Sequence, residues 1–156
     1  ICSYEKSTMK WRTSDKIKEL SQPGMHNLTL RSLHDGSLMA FASVLECTEP
    51  DCDDHPIPVL YIYEFHVLPA HQGQGIGLWL LDKVIDWVLT RSVKNCQKIM
   101  LTVQTANIRA VKFYERLGFA ADPICPTQCL PQEKAKSLGY MIFSRPLRPN
   151  DSWYSF

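Results

Sequence analysis

No stretch of this 156-residue sequence approaches the roughly 18 to 20 consecutive apolar residues that a membrane-spanning helix needs. The first ten residues also lack the apolar core of a secretory signal, and the chain starts at Ile1 rather than Met. We therefore expect a trimmed piece of a soluble intracellular protein. Neither sign of charge is in excess, since 17 Lys and Arg face 16 Asp and Glu. This balance excludes a polybasic nucleic-acid binder and an acidic tail protein.

The six cysteines include no Cys-x-x-Cys pair, and none has histidines beside it at the spacing of a zinc site, so we expect no metal. Disulfide frameworks belong mostly to shorter secreted chains, which favours free thiols here. Hydrophobic residues make up 45% of the chain, enough for a packed core. The length fits a single domain over 1–156, with a helical segment at 1–24 and a core at 28–145.

Residue patterns predict helices over 3–20, 77–90 and 107–117. They predict strands over 28–33, 38–46, 59–67, 98–104, 119–122 and 140–144. Asp35-Gly36 indicates a hairpin turn between the first two strands. Residues 46–58, with three prolines, are predicted to form a loop. Strands followed by alternating helices and strands are typical of one mixed α/β sheet.

The sequence QGQGIG at 72–77 lies between a predicted strand and a predicted helix. Glycines let the backbone turn tightly and approach a ligand closely. The N–H groups at the start of the following helix suit a pyrophosphate. The spacing is neither that of the P-loop nor that of the dinucleotide fingerprint. Taken alone, the motif is equally compatible with a plain glycine-rich turn that caps a helix.

A second motif, NIRAVKFYERLGF at 107–119, begins 30 residues after Gly77. The two motifs together resemble the GCN5-related N-acetyltransferase (GNAT) family, and the resemblance covers about 28–144. It implies a mixed, mostly antiparallel sheet that is splayed at a bulged strand and flanked by helices. It also implies acetyl-CoA as the cofactor and direct transfer in a ternary complex. No cysteine lies in the motif strand, so we expect no covalent acyl-enzyme.

The resemblance implies that the cofactor lies along the strand bearing 64–67 and that its pyrophosphate is wrapped by 73–78. The implied cofactor residues are Phe65, His66, Val67, Gly73, Gln74, Gly75, Ile76, Gly77, Leu78 and Asn107. Tyr114 matches a position that protonates the departing thiolate in many relatives. A packed core tyrosine is the alternative for this residue.

Glu64 is our candidate general base, because transfer to an amine requires removal of a proton from the nitrogen. It lies in an otherwise apolar and aromatic strand, where burial would raise the pKa of a carboxylate toward a useful range. Strict alternation points Glu64 away from Tyr61 and Tyr63, unless a bulge re-aims it. A surface glutamate at a strand end is one alternative, and His66 is a rival base.

Charge in one segment favours a cationic substrate. No Lys or Arg lies between Arg31 and Lys83, and five acidic residues fall within 46–54. Such a patch attracts a basic peptide, although a solvated loop is the alternative. An α-amine has a pKa near 8 and a lysine amine one near 10.4, so deprotonating lysine is roughly 3 kcal/mol harder. A carboxylate base therefore favours an N-terminal acceptor.

Within the family, LYIYE at 60–64, MLTV at 100–103 and GYMI at 139–142, with early Tyr4 and Trp11, resemble the NatD type of histone N-α-acetyltransferases. This implies acetylation of the N-terminal serine amine of core histones whose tails begin Ser-Gly-Arg-Gly, with Glu64 as base and Tyr63 as a further catalytic residue. It places the enzyme in cytoplasm and nucleus, without nucleic-acid or membrane partners and with ribosome association open. The implied peptide-binding residues are Tyr4, Glu46, Glu49, Tyr61, Tyr63, Thr102 and Tyr140. The rival functions are a lysine or small-amine acetyltransferase and a non-catalytic acyl-CoA-binding module.

Overall fold

A computed structural model of the chain describes residues 13–91 and 96–147. The helices are α1 (Thr13–Leu20), α2 (Ile76–Thr90), α3 (Ile108–Arg116), α4 (Pro126–Cys129) and α5 (Gln132–Leu138). The strands are β1 (Met25–Arg31), β2 (Leu38–Pro50), β3 (Pro56–Val67), β4 (Lys98–Gln104), β5 (Ala120–Ala121) and β6 (Tyr140–Pro146). They form one sheet in the order β1-β2-β3-β4-β6-β5. Among the described strands β3 and β4 pair in parallel and the other neighbours are antiparallel, which confirms the predicted fold class.

The prediction of a loop over 46–58 is wrong. β2 and β3 continue as a two-stranded ribbon, pairing as far as Pro50 opposite Pro56. Pro58 accepts a hydrogen bond from Gln97 N–H (2.9 Å), so its backbone faces away from β2. Pro56, two residues earlier, faces the same way, and neither proline removes a donor from the β2 ladder. The turn itself is confined to 51–55, where Asp51 Oδ1 accepts from the N–H groups of Asp53 and His55 (2.9 and 2.8 Å).

β3 carries a bulge where it passes β2. Ser43 pairs with Glu64, whereas the next β2 residue, Val44, pairs with Ile62. Tyr63 is therefore the extra residue on β3. The parallel pairing of β3 with β4 ends at Ile62 opposite Leu101, so the two strands diverge beyond that point. The bulge and the splay are the features that the GNAT resemblance implies.

The two faces of the sheet differ in what covers them. The face toward α2 and α3, here the α2 face, holds the core. It includes the buried residues Ala42, Val44, Leu60, Ile62, Leu101 and Phe143. Burying each large aliphatic side chain there contributes about 1.5–3 kcal/mol. The other face, here the α1 face, carries mostly polar and aromatic side chains from the middle strands. None of the described helices has the length and apolarity to span a bilayer.

Helices α2 and α3 confirm their predictions within one residue. Asn107 caps α3, since its Oδ1 accepts from Ala110 N–H at 3.1 Å, and Gly118 follows at φ +79°. α1 confirms the last part of the helix predicted over 3–20, and 3–12 lie outside the described residues. α4 and α5 were not predicted, because each is too short for an apolar period to show. The five described cysteines are free thiols, as expected.

Candidate active site

The bulge decides where Glu64 points. One extra residue at Tyr63 shifts the alternation, so Glu64 shares the α1 face with Tyr61 and Tyr63 instead of opposing them. The two tyrosine rings lie 5.1 Å apart. The Glu64 side chain is only 4% exposed. The bulge therefore turns Glu64 toward the face that carries the tyrosines, and the alternative of a surface glutamate is wrong.

Glu64 pairs with two basic side chains. Its Oε1 contacts Lys16 Nζ from α1, and its Oε2 contacts His66 Nε2. Burial by itself raises the pKa of Glu64, but the hydrogen bonds and charges of His66 and Lys16 outweigh burial and lower the pKa. The expectation of a raised pKa is wrong, because it omitted these partners. The carboxylate is ionised at neutral pH and is a weak base.

Other residues predicted to bind the acceptor peptide lie on the same α1 face as Glu64. Tyr61 Oη and Thr102 Oγ1 share a 2.6 Å hydrogen bond between β3 and β4. Tyr140 pairs with Gln104, and strand alternation places it on the same face as Thr102. Burial raises the pKa of Tyr61, and the charge of Glu49 adds to this effect. Polar groups from three strands thus share the α1 face with the carboxylate.

The structure separates the two glutamates of β2. Glu49 lies two residues from Cys47, whose thiol donates to it (3.9 Å), and both face the α1 side. Glu46 pairs with Leu60, a core residue of the α2 face, so alternation turns it away from Glu64. Tyr4, the remaining predicted peptide contact, lies outside the described residues.

A cleft of about 510 Å³ opens on the α2 face between the glycine loop and α3. Seven of the ten predicted cofactor residues line it: Phe65, Val67, Gly73, Gly75, Gly77, Leu78 and Asn107. The other three lie elsewhere. His66 faces Glu64, the Gln74 amide donates to Ala70 O (3.1 Å), and Ile76 packs against the core.

The glycine loop is shaped by backbone conformation. Gly73 and Gly75 have φ of +76° and +79°, and a Cβ at either position would meet nothing within 4 Å. The need for glycine there is conformational rather than steric. Gly75 caps the start of α2, whose first N–H groups point toward the cleft end. Gly77 differs, because a Cβ there would come within 3.4 Å of Phe113.

The diverging edge of β3 supplies further backbone donors. Leu68 N–H donates to Met39 O (2.9 Å), so the backbone of Val67, one residue earlier, faces the open side. Phe65 faces the same side by alternation. Val67 O accepts from the Gln72 amide (2.8 Å). The N–H groups of Phe65 and Val67 are therefore directed into the gap between β3 and β4.

Two arginines of α3 also line the cleft and were not singled out as site residues. They are Arg109 and Arg116, and Arg109 Nη1 donates to Gln72 Oε1 at 2.8 Å. The sequence signal was the cluster of six basic residues in 91–116. Not all of that cluster serves the cleft, since Lys98 pairs with buried Asp122 at 2.5 Å. Guanidinium groups beside a helix start and a glycine turn fit the phosphates of a CoA molecule.

Tyr114 lies between the cleft and the gap. Its ring packs against those of Phe65, Phe113 and Phe119. Burial, followed by the charge of Glu64, raises its pKa, so its hydroxyl keeps its proton at neutral pH. Tyr114 is packed as a core tyrosine would be, which was the alternative interpretation. It also lines the cleft, which is compatible with a role as general acid.

Comparison with known proteins gives three findings. The family model described as "Acetyltransferase (GNAT) family" matches residues 3–119. N-alpha-acetyltransferase 40 of Saccharomyces cerevisiae is 40% identical over 79 residues, which are 48% of this chain and 28% of that protein. Spermidine N(1)-acetyltransferase of Vibrio cholerae is 35% identical over 71 residues, 42% of this chain and 40% of that protein. These matches thus span less than half of either relative.

Solved structures share this fold. Arabidopsis thaliana NAA60, solved with a bisubstrate analogue, superposes with a TM-score of 0.64 over 94% of this chain and 90% of its own. At 13% sequence identity this likeness concerns the fold alone.

Proposed function

The chain belongs to the GNAT family of acetyltransferases, and from this premise we propose that it acetylates the N-terminal serine amine of histone tails beginning Ser-Gly-Arg-Gly. Acetyl transfer from acetyl-CoA is the chemistry of the family. The observation that carries the finer proposal is the pairing of Glu64 with Lys16 and His66. The similarity to the yeast N-alpha-acetyltransferase supports it.

The lowered pKa of Glu64 bears on the choice of acceptor. A weak base suits an amine that releases its proton readily. An α-amine does so about 2.5 pH units lower than a lysine amine, a difference of roughly 3 kcal/mol. Ionised Glu64 is therefore better matched to a free N-terminus than to a lysine side chain.

Each face of β3 has its own part in the reaction. Acetyl-CoA supplies an activated acetyl thioester. On the α2 face, the glycine loop, the start of α2 and Arg109 hold the phosphates. The N–H groups of Phe65 and Val67 donate to the thioester carbonyl oxygen across the gap. On the α1 face, Glu64 would receive the proton of the amine, directly or through one water, as the nitrogen bonds to the acetyl carbon and the bond to sulfur breaks. On the α2 face, the Tyr114 hydroxyl would supply a proton to the departing sulfur.

Acidic side chains on the β2–β3 ribbon, here the acidic ribbon, orient the bound peptide. Glu49, whose carboxylate accepts from Cys47 on the α1 side, is our candidate partner for the arginine of the tail. Tyr63, Thr102 and Tyr140, on the same face, are our candidates to flank its first residues. Opposite charges here speed encounter and fix register more than they add affinity. Histones are made in the cytoplasm and used in the nucleus, and we propose that the enzyme works in both.

The test is CoA release with a lysine-containing peptide that begins Ser-Gly-Arg-Gly, compared with the same peptide carrying a blocked N-terminus. We expect release with the free peptide only. Release with the blocked peptide at a similar rate would show that a side-chain amine is the acceptor and would overturn the proposal.

A small polyamine is the second candidate acceptor. The chain is similar to a spermidine acetyltransferase, and an acidic α1 face also suits a polycation. Spermidine in the same assay separates the two. A kcat/KM for spermidine above that for the free peptide would favour the polyamine.

A further inference from the structure

Lys16 reaches from α1 to the candidate general base. Its Nζ contacts Glu64 Oε1 and also donates to Glu19 Oε2 at 2.7 Å. The Lys16 side chain is 17% exposed, against 4% for Glu64. An ammonium group thus stands on the α1 face directly beside the carboxylate that has to receive the acceptor's proton.

We propose that Lys16 is a positioning residue for acetyl transfer: its ammonium fixes the Glu64 carboxylate on the α1 face and stands beside the incoming amine. The inference rests on the proposed function, since it takes Glu64 as the base and an amine as the acceptor. Lys16 would act through Glu64 and through its charge, and it would not itself be acetylated.

A fixed cation beside an amine favours the neutral form of that amine, because two like charges at short range repel. The neutral form is the nucleophile, so the effect raises the reactive fraction of the acceptor at a given pH. The same ammonium keeps Glu64 ionised and able to accept the proton. The gain therefore comes from the amine, because the same charge lowers the basicity of Glu64.

The cation persists because its surroundings hold it protonated. Burial works to lower the pKa of Lys16, but the hydrogen bonds and charges of Glu19 and Glu64 outweigh burial and raise it. Two other titratable groups of β3 lie near this pair: His66, which contacts Glu64, and Tyr63, whose pKa is raised by burial and in part by the charge of Glu19. On the other face of the sheet lies Tyr114 of α3, whose pKa is raised by burial and also by the charge of Glu64. From β2, the residue opposite Glu64 is the uncharged Ser43, which donates to Asn27 at 2.5 Å.

The experiment compares the pH profiles of kcat in wild type, Lys16→Met, Lys16→Arg and Lys18→Met, with the free Ser-Gly-Arg-Gly peptide or with spermidine. The kcat profile reports groups in the substrate complex. Removing the cation raises the pKa values of the bound amine and of Glu64. In Lys16→Met the rise of kcat on the low-pH side of the profile, here the acid limb, should therefore move to higher pH. We expect a shift of about one pH unit and a kcat about tenfold lower at pH 7.

Lys16→Arg keeps the charge, so the acid limb of its kcat profile should lie within about 0.3 pH units of the wild-type limb. Lys18→Met removes the same charge two residues along α1 from an exposed position, and its profile should match wild type. Thermal midpoints and circular dichroism check that each variant is folded. If Lys16→Met does not fold, Lys16→Gln replaces it with the same expectation.

Three results would overturn the inference. One is a loss of kcat in Lys16→Met that is equal at every pH, which indicates a purely structural contact. Another is a rise in kcat/KM, which would make Lys16 a competitor of the substrate. The third is acetylated Lys16 in the wild-type enzyme by peptide mass spectrometry, which would make it an acceptor. A wild-type enzyme inactive toward both substrates refutes the proposed function instead, so the two failures are distinct.

Discussion

In the reaction we propose, the two faces of β3 have different roles and are built in different ways. On the α2 face the cleft depends on backbone features: glycines at positive φ, the start of α2 and the unpaired edge at Phe65 and Val67. On the α1 face the site depends on side chains brought together from separate elements, such as Lys16 with Glu64. A single extra residue, Tyr63, turns Glu64 from one face to the other. The proposed cofactor site thus depends largely on backbone conformation, whereas the proposed acceptor site depends on tertiary contacts between side chains.

A substitution on the α1 face should have the largest effect on activity. Glu64→Gln removes the proton acceptor, and kcat should fall by about 10²- to 10⁴-fold. Because Glu64 faces away from the cleft, the Kd of acetyl-CoA should stay within about twofold. Steady-state kinetics and calorimetric titration measure the two quantities. Unchanged turnover, or loss of cofactor binding in a folded variant, would contradict the division between the faces.

A substitution in the glycine loop of the α2 face should weaken cofactor binding and have little effect on binding of the acceptor peptide. Gly75→Ala places a Cβ at φ +79°, a conformation that costs an L-residue roughly 1–2 kcal/mol. We expect the Kd of acetyl-CoA to rise about tenfold while the KM of the peptide is unchanged. The matched control is Gly36→Ala, at φ +72° with nothing within 4 Å of its Cβ. That variant should lower the thermal midpoint without affecting the cofactor.

A charge on the α2 face should matter less than the loop geometry. Arg109→Ala removes a guanidinium that lines the cleft, and the Kd of CoA should rise about three- to fivefold, less at high salt. Lys112→Ala, an exposed residue of the same helix, is the control and should change nothing. Equal effects in the two variants would mean that only the net charge of α3 matters.

Removing a charge from the acidic ribbon should have the smallest effect on activity. Glu49→Gln should raise the peptide KM about two- to fivefold at low salt, and the change should vanish at high salt, because a partly exposed ion pair contributes only about 0.2–1 kcal/mol. Glu46→Gln makes the same charge change on the opposite face and should leave KM unaltered. A larger effect from Glu46 would contradict the alternation assigned to the ribbon.

Local signals made most of the fold and the α2 face predictable. The glycine loop, the Asn107 cap and Gly118 each satisfy a backbone requirement that a few neighbouring residues express. The ribbon over 46–58 was missed because prolines favour loops unless their nitrogens face an open edge, and the sequence does not reveal which edge is open. The contact of Lys16 with Glu64 joins segments 48 residues apart, and no periodicity encodes it. Without that contact, burial alone gave the wrong direction for the pKa of Glu64.

The central claim is that donor and acceptor meet through the gap where β3 leaves β4, with Glu64 on the acceptor side. A crystal structure with CoA covalently joined to the nitrogen of a Ser-Gly-Arg-Gly peptide tests it most directly. We expect CoA in the cleft on the α2 face, the peptide on the α1 face, and the serine nitrogen within hydrogen-bonding reach of Glu64 or of one water bound to it. A peptide lying on the α2 face, or a serine nitrogen remote from Glu64, would contradict it.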